Sequence, residues 1–231
     1  MTTRPRAPIA VALDAPDVET AARWAQAVTP YVAVVKVGLE LFCRTGPSIV
    51  DTVRGGSGVD LFLDLKLHDI PNTVAGAARG VARLKPRYLT VHASGGPDMV
   101  RAAVESAPDV TIAAVTVLTS MSAEVLGSVG LEGPPLDAVR RLAALAVGAG
   151  AGALVCSPQE VAAVRAEVGP GITLITPGVR PLGADVQDQA RVATPAQALS
   201  DGADLLVIGR PITGASDPGA AAAEIAASLS S

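Results

Sequence analysis

Residues 59–66 read VDLFLDLK, a continuous apolar run that acquires an aspartate and a lysine as it ends. Further runs of this kind recur along the chain: IAVALD (9–14), YVAVVKVG (31–38), YLTVHAS (88–94), VTIAAVTVLT (110–119), GALVCSP (152–158), ITLITPG (172–178) and DLLVIGRP (204–211). Runs that stay apolar, instead of alternating with polar residues, indicate strands that are buried on both faces, as in a parallel sheet.

Alanine-rich segments separate these runs and have the composition of helices. They cover residues 16–28, 73–84, 135–150, 158–169 and 194–202. Asp17 and Thr194 are predicted N-caps, and Gly150, Gly169 and Gly202 stand where helices are expected to end.

Eight strands alternating with helices in 231 residues predict an α/β fold, a single-domain (β/α)8 TIM barrel. The competing layout is an open, doubly wound sheet, which favours a glycine-rich turn after its first strand. The residues at that point, LDAPDVET (13–20), contain no glycine. Neither a low-complexity tract nor a break in composition interrupts the chain, so one domain is expected.

The composition argues against nucleic-acid and membrane partners. A net charge of −4 and 2% aromatic residues leave neither the basic face nor the stacking rings that bind nucleic acid. No apolar stretch reaches the roughly 20 residues that span a bilayer, and MTTRPRA (1–7) is not followed by the long apolar segment of a signal peptide. Cys43 and Cys156 do not form a disulfide framework. We therefore expect a cytoplasmic protein with reduced thiols.

Charged residues collect at the carboxyl ends of the predicted strands, where a barrel builds its active site. Asp14 ends the first strand, Lys36 lies near the end of the second, and Asp64 and Lys66 end the third. Because strand side chains alternate, Asp64 and Lys66 share a face that is expected to point into the barrel mouth. Asp14 and Lys36 can join them in a row of alternating charges. A structural salt bridge explains one such pair, but it is a poor explanation for four charged residues.

The last two predicted strands end in a different pattern. TPGVR (176–180) and IGRPI (208–212) each place a glycine near an arginine. The loops after the seventh and eighth strands bind phosphate in many barrels, because glycine lets backbone N–H groups approach and arginine offers a bidentate donor. Turn glycines with solvated arginines remain the alternative for either motif alone. The two motifs together favour a phosphate site, and Thr119, predicted to end the fifth strand, is a further polar residue nearby.

The long motif FLDLKLHDIPNT (62–73) resembles the signature of bacterial orotidine 5′-phosphate decarboxylase. The similarity continues through VALD (11–14), VKVG (35–38), TVHASGG (90–96), VTVLTS (115–120), TPGVRP (176–181), DQARVATP (188–195) and VIGRPIT (207–213). The resemblance implies a homodimeric (β/α)8 barrel that removes CO2 from orotidine 5′-monophosphate (OMP) to give UMP, without a metal or an organic cofactor. Residues 1–7 carry no motif and are expected to be a variable extension, with the barrel domain over 8–231.

The resemblance also implies individual roles. The expected catalytic residues are Lys66, Asp64, Asp69 and Lys36. The expected substrate-binding residues are Asp14, Lys36, Asp64, Ile70, Thr73, Thr119, Arg180, Gln189, Gly209 and Arg210. Within these sets, Lys66 is the expected proton donor to C6 of the pyrimidine, and Asp69 is expected to reach into the site of the neighbouring subunit.

The remaining implied contacts divide by the parts of the substrate. Asp14 and Lys36 are expected at the ribose hydroxyls and Thr119 at the pyrimidine edge. Ile70 and Thr73 are expected to line the site from the same loop as Asp69. The phosphate is expected to meet Arg180, Gln189, Gly209 and Arg210.

The chemistry explains why a lysine is needed. Loss of CO2 from C6 leaves an electron pair without an adjacent acceptor, and many enzymes pass such a pair to a cofactor. Without a cofactor, a fixed cation must stabilise the pair and then protonate it, and carboxylates beside Lys66 favour its ammonium form. His68 and His92 receive no assigned role, and two histidines without a third ligand at suitable spacing do not predict a zinc site.

Two alternatives to this function stay open. Decarboxylases of 3-keto-gulonate phosphate and the hexulose-phosphate synthases share the Asp-x-Lys-x-x-Asp pattern but use Mg²⁺ and an enediolate, and the TPGVRP and DQARV motifs argue against them. A barrel that only binds nucleotides is the other alternative, and the intact charged row argues against it.

Overall fold

The computed structural model of the protein describes residues 6–180 and 193–229. Within them, eight parallel strands pair in chain order and close into a barrel, so the predicted (β/α)8 fold is confirmed. The strands are β1 Ala7–Ala12, β2 Val32–Gly38, β3 Asp60–Leu67, β4 Tyr88–His92, β5 Thr111–Val115, β6 Ala153–Val155, β7 Thr173–Thr176 and β8 Leu205–Ile208. The ring closes where β8 pairs with β1, with Ile208 opposite Val11.

Helices cover the outside of the barrel. They are α1 Val18–Val28, α2 Leu39–Thr45, α3 Ile49–Arg54, α4 Pro71–Ala82, α5 Pro97–Ser106, α6 Ala123–Ser128, α7 Pro135–Gly148, α8 Val161–Val168, α9 Pro195–Ser200, α10 Arg210–Thr213 and α11 Pro218–Ser228. The predicted caps are confirmed, because Asp17 accepts a hydrogen bond from the Thr20 N–H and Thr194 accepts one from the Gln197 N–H. In the described ranges no helix is long and apolar enough to cross a membrane.

The apolar core has two layers, which follow from the alternation of strand side chains. Outward residues such as Leu61, Leu63 and Leu65 are buried against the helices. Inside the barrel, each strand contributes one side chain to a second packed cluster: Ala10, Val34, Phe62, Tyr88, Ala113, Ala153, Ile175 and Leu205. Phe62 and Tyr88 meet edge to face, with ring centroids 5.9 Å apart. This inner cluster lies beneath the side chains that come two residues later on each strand, toward the carboxyl end of the barrel.

Six of the eight strands end earlier than the predicted runs, and two of these early ends place a predicted site residue beyond its strand. β1 ends at Ala12, so Asp14 lies beyond the strand, and β5 ends at Val115, so Thr119 lies in a turn. Beyond β5 the chain forms a turn, in which Met121 donates its N–H to the carbonyl oxygen of Leu118. The polar residues still emerge at the carboxyl end of the barrel, but from loops that can adjust more than a strand can.

Candidate active site

Polar side chains from three neighbouring strands lie above one side of the inner cluster. Moving two residues along β2, β3 and β4 from Val34, Phe62 and Tyr88 reaches Lys36, Asp64 and Thr90. The same step along β5, β6 and β8 reaches valines instead, at positions 115, 155 and 207. At this level of the strands, the β2, β3 and β4 positions are therefore polar or charged, and the β5, β6 and β8 positions are apolar.

The charges form the row that side-chain alternation predicts. Asp64 is its centre, because Oδ2 lies 3.1 Å from the Lys36 Nζ and Oδ1 lies 2.8 Å from the Lys66 Nζ. Lys36 also lies 3.8 Å from Oδ1 of Asp14. The order across the strands is thus Asp14, Lys36, Asp64, Lys66, with alternating sign. The Lys36 side chain is only 8% exposed, so these carboxylates, more than water, surround its ammonium group.

The two ammonium groups control the ionisation of Asp64. Burial alone would raise the pKa of this carboxyl, but the attraction of Lys36 and then of Lys66, with hydrogen bonds from both, outweighs burial and lowers the pKa below its usual 3.8. Asp64 is therefore a carboxylate at neutral pH, although it is largely buried.

The backbone at Lys66 has an unusual conformation. Its φ is +49°, in the left-handed region that residues with a side chain seldom adopt. The pairing of β3 with β4 shifts in the same place, since Leu63 is opposite Leu89 and Leu67 is opposite Val91. Extra residues of β3 thus bulge between these pairs, and the bulge carries Lys66 at the tip of the strand. Bulges commonly re-aim a side chain beside an active site.

Thr90 is a site residue that the sequence analysis missed. It is fully buried on β4, and its hydroxyl accepts a hydrogen bond from the Lys66 N–H at 2.8 Å and donates one to Oδ1 of Asp64 at 3.0 Å. A threonine in an apolar run is an ordinary β-former, so its residue type gave no indication of a role. Its position did carry a signal, because Thr90 stands two residues before His92 and hence on the inner face.

Two adjoining cavities open from the row. The first, of about 380 Å³, contains Asp14, Lys36 and Asp64 on one side and Arg180 and Arg210 on the other. Its lining is completed by Ala12, Pro177, Gly178, Val179, Val207, Gly209 and Pro211. Both predicted phosphate loops therefore meet in one cavity with the charged row.

The second cavity is smaller, about 130 Å³, and mostly apolar. Phe62, Val115, Val155 and Val207 contribute apolar walls, and Lys66 lies among them. Thr119 lines this cavity with Asp64, Leu118, Val117, Cys156 and Pro177. Asp64, Pro177 and Val207 border both cavities, so the two cavities adjoin each other at the charged row.

The remaining predicted residues lie elsewhere. Asp69 is exposed on the loop after β3, where its Oδ1 accepts a hydrogen bond from the Ile70 N–H at 2.6 Å. Ile70 is 66% exposed, and Thr73 is exposed in the first turn of α4. None of these three is among the described residues that line the two cavities. Gln189 lies outside the described residues, so its predicted contact stays a prediction.

The two histidines lie side by side at the barrel mouth, with ring centroids 5.2 Å apart. Burial, and then the neighbouring His68 and Lys66 side chains, lower the pKa of His92 below its usual 6.5. The thiol of Cys156, which directly follows β6, is held in its neutral form because burial raises its pKa to about 12. In the described ranges no three His, Cys, Asp or Glu side chains are grouped as metal ligands.

The chain is similar to known proteins over nearly its whole length. The orotidine 5′-phosphate decarboxylase / HUMPS family matches residues 7–225, which is nearly the whole chain. The chain belongs to this family. Among curated members, the chain is 73% identical to the orotidine 5′-phosphate decarboxylase of Thermobifida fusca over 96% of both chains. It is 61% identical to that of Frankia casuarinae over 98% of this chain and 89% of the relative.

Solved structures of the family support the fold as well. The crystal structure of orotidine 5′-phosphate decarboxylase from Lactobacillus acidophilus superposes with a TM-score of 0.85 at 35% identity, covering 97% of this chain and 100% of the other. Because the family name spans more than one activity, membership alone does not choose among its reactions.

Proposed function

We propose that the chain decarboxylates OMP to UMP and CO2, the last step of de novo pyrimidine synthesis, in the cytoplasm. The observation that carries the proposal is the row Asp14, Lys36, Asp64 and Lys66, placed between an arginine-lined cavity and an apolar one. A nucleotide has the same three parts, namely an anionic end, hydroxyls in the middle and a flat ring. The curated relatives named above carry this activity in their names.

The substrate fits the space in one direction. Arg180 and Arg210, with the backbone at Gly209, can hold the phosphate in the larger cavity. Asp14 and Lys36 stand between that cavity and the ring, where the ribose hydroxyls belong. The pyrimidine then occupies the apolar cavity beside Thr119, with C6 toward Lys66. Gln189 is assigned to the phosphate and the base as the resemblance implies.

The reaction breaks the bond between C6 and its carboxylate. The electron pair of that bond stays on C6, CO2 leaves, and the Lys66 ammonium delivers a proton to C6. Asp64 holds this ammonium at 2.8 Å before the reaction, so the positive charge is in place where negative charge develops. Fixed charges of this kind cost no reorganisation during the step, and the apolar walls keep water away from them.

The proposal includes a homodimer in which Asp69 completes the partner's site, with Ile70 and Thr73 beside it. Exposure of Asp69 and of Ile70 on the loop after β3 supports it, since an isoleucine that is 66% exposed gains from being covered. Lys66→Ala and Asp69→Ala homodimers should each be nearly inactive. In a mixed dimer, one site then carries both changes and the other carries neither.

Subunit mixing tests the shared site directly. Random exchange makes half of the dimers mixed, so an equal mixture should recover roughly a quarter of wild-type activity per site. If Asp69 acts within its own chain, every site keeps one change and no activity returns. Exchange must be shown independently, for example by mass spectrometry of differently labelled chains.

Loss of OMP absorbance with purified protein, together with chromatographic detection of UMP, tests the activity itself. EDTA separates it from the magnesium-dependent members of the family. Turnover that survives chelation supports the proposal, whereas turnover that vanishes and returns with Mg²⁺ supports the enediolate reaction. Binding of UMP without turnover of OMP would identify a nucleotide-binding barrel instead.

A further inference from the structure

One buried hydroxyl connects the two residues at the centre of the site. Thr90 has a single hydroxyl proton, and it is given to Oδ1 of Asp64 at 3.0 Å. The same Oδ1 accepts the hydrogen bond from the Lys66 Nζ at 2.8 Å. The oxygen of Thr90 meanwhile accepts the Lys66 backbone N–H at 2.8 Å. The Thr90 hydroxyl therefore binds the backbone N–H of Lys66 directly. Through Asp64 it is also linked to the side-chain ammonium of Lys66.

The bulge in β3 explains why this contact matters. A regular parallel strand would give the Lys66 N–H a carbonyl partner on its neighbour, but the register with β4 has shifted here. The N–H is satisfied by the Thr90 side chain instead. Since φ of Lys66 is +49°, the lysine is held in a conformation that needs support from its surroundings. The direction of the Lys66 side chain therefore depends on this backbone conformation.

We propose that Thr90 is a positioning residue for the reaction, one that orients Lys66 and Asp64 together through its hydroxyl. The inference rests on the proposed function, in which Lys66 delivers the proton. Thr90 is not among the described residues that line the two cavities, so in this proposal it acts through Lys66 and Asp64 and not on the substrate. Its effect should appear in the chemical step more than in substrate binding.

The simpler explanation is that Thr90 only fills space in the barrel, and the chain offers a matched control. Thr116 is also buried, directly follows the next strand, and donates its hydroxyl to the carbonyl oxygen of Val155 at 3.0 Å. That bond reaches the backbone of β6 and neither Lys66 nor Asp64. Thr90→Val and Thr116→Val remove the same group from similar surroundings, so a difference between them reports on what the hydroxyl touches.

The experiment measures kcat, KM and thermal stability of both valine variants with OMP. Thr90→Val should lower kcat about 100-fold, the size of effect that a misplacement of about 1 Å produces, while KM changes by less than about threefold. Thr90→Ser keeps the hydroxyl and should restore kcat to within about fivefold of wild type. Thr116→Val should leave kcat within about twofold.

A second pair keeps the test valid if Thr90→Val does not fold. Thr90→Ser and Thr90→Ala differ only by the hydroxyl, and kcat should fall from the first to the second. The proposal is overturned if Thr90→Val, or Thr90→Ala relative to Thr90→Ser, keeps its kcat. Equal losses of kcat in Thr90→Val and Thr116→Val would also overturn it, because they would show a general packing effect.

Hydrogen exchange separates this proposal from the proposed function. The Lys66 amide, followed by ¹⁵N–¹H spectroscopy, should exchange faster in Thr90→Val and Thr90→Ala than in wild type, and not faster in Thr116→Val. If wild-type protein does not decarboxylate OMP, the proposed function fails and the amide measurement decides alone. Unchanged exchange at Lys66 in both Thr90 variants would then show that Thr90 does not hold the lysine.

Discussion

Replacing Asp64 by asparagine should destabilise the protein in a way that depends on pH. The carboxylate neutralises Lys36 at 3.1 Å and Lys66 at 2.8 Å, and the Lys36 side chain is only 8% exposed. The neutral amide of Asp64→Asn would leave two ammonium groups facing each other, with Asp14 at 3.8 Å from Lys36 as the remaining partner. Removing one partner of a buried ion pair costs about 3–5 kcal/mol. For a chain of this length that corresponds to a fall in Tm of about 6–20 °C.

The sign of the pH dependence follows from the lowered pKa of Asp64. A carboxyl with a folded-state pKa below 3.8 contributes stability above that pH and loses it as the pH falls through the folded-state pKa. The protonated carboxyl resembles the amide of the variant. The difference in Tm between wild type and Asp64→Asn should therefore be largest near neutral pH and shrink in acid below pH 3.8.

Calorimetry at a series of pH values measures this difference, and an exposed ion pair supplies the control. Asp98 lies 2.9 Å from Arg101, with both side chains largely in solvent. Asp98→Asn should cost about 0–1 kcal/mol, with little pH dependence attributable to burial. An unchanged Tm for Asp64→Asn at pH 7, or a loss that stays the same in acid, would refute the electrostatic account of the row.

Three further changes have definite expected results. Gly38→Ala should lower OMP turnover without unfolding the barrel, because the new Cβ would lie 2.7 Å from Oδ1 of Asp14. Steady-state kinetics measures the turnover and circular dichroism the fold, and normal kcat and KM would contradict the prediction. Arg210→Ala should weaken UMP binding by about 2–4 kcal/mol, because a charged contact is lost. Titration calorimetry measures the binding, with the surface variant Arg101→Ala as the control. His92→Gln should flatten the dependence of the unfolding free energy on pH. Burial lowers the pKa of His92, so in the wild type this residue makes stability rise with pH up to about 6.5. Equal slopes of stability against pH in the two proteins would argue against this.

The sequence was sufficient to predict the barrel because each strand is marked by an apolar run, and because no glycine-rich turn follows the first run, which favoured a closed ring over an open sheet. It also predicted that Asp64 and Lys66 face the same side, since alternation along β3 places Leu63 and Leu65 in the outer core. Strand ends were less accurate. Thr119 was expected on β5 but lies in the turn after it, because continuation of an apolar run does not show where the sheet hydrogen bonds stop.

Other parts of the site depend on interactions that a single sequence does not display. The left-handed backbone of Lys66 results from a bulge between β3 and β4, which is a property of pairing and not of either strand alone. Thr90 was overlooked because its residue type is common in strands. The predicted role of Asp69 requires a second copy of the chain, and Gln189 lies outside the described residues.

Closure of the ring between β1 and β8 has a consequence for how the protein is made and kept folded. The charged row comes from the first three strands, whereas Arg180 and Arg210 follow the seventh and eighth, so a chain truncated before β8 keeps the row but loses part of the anion site. A nucleotide that touches both groups binds only the closed ring. At 100 times its Kd, such a ligand adds about 2.7 kcal/mol to the closed state. A ligand that bridges these groups would therefore add to the free energy that holds the first and last strands together.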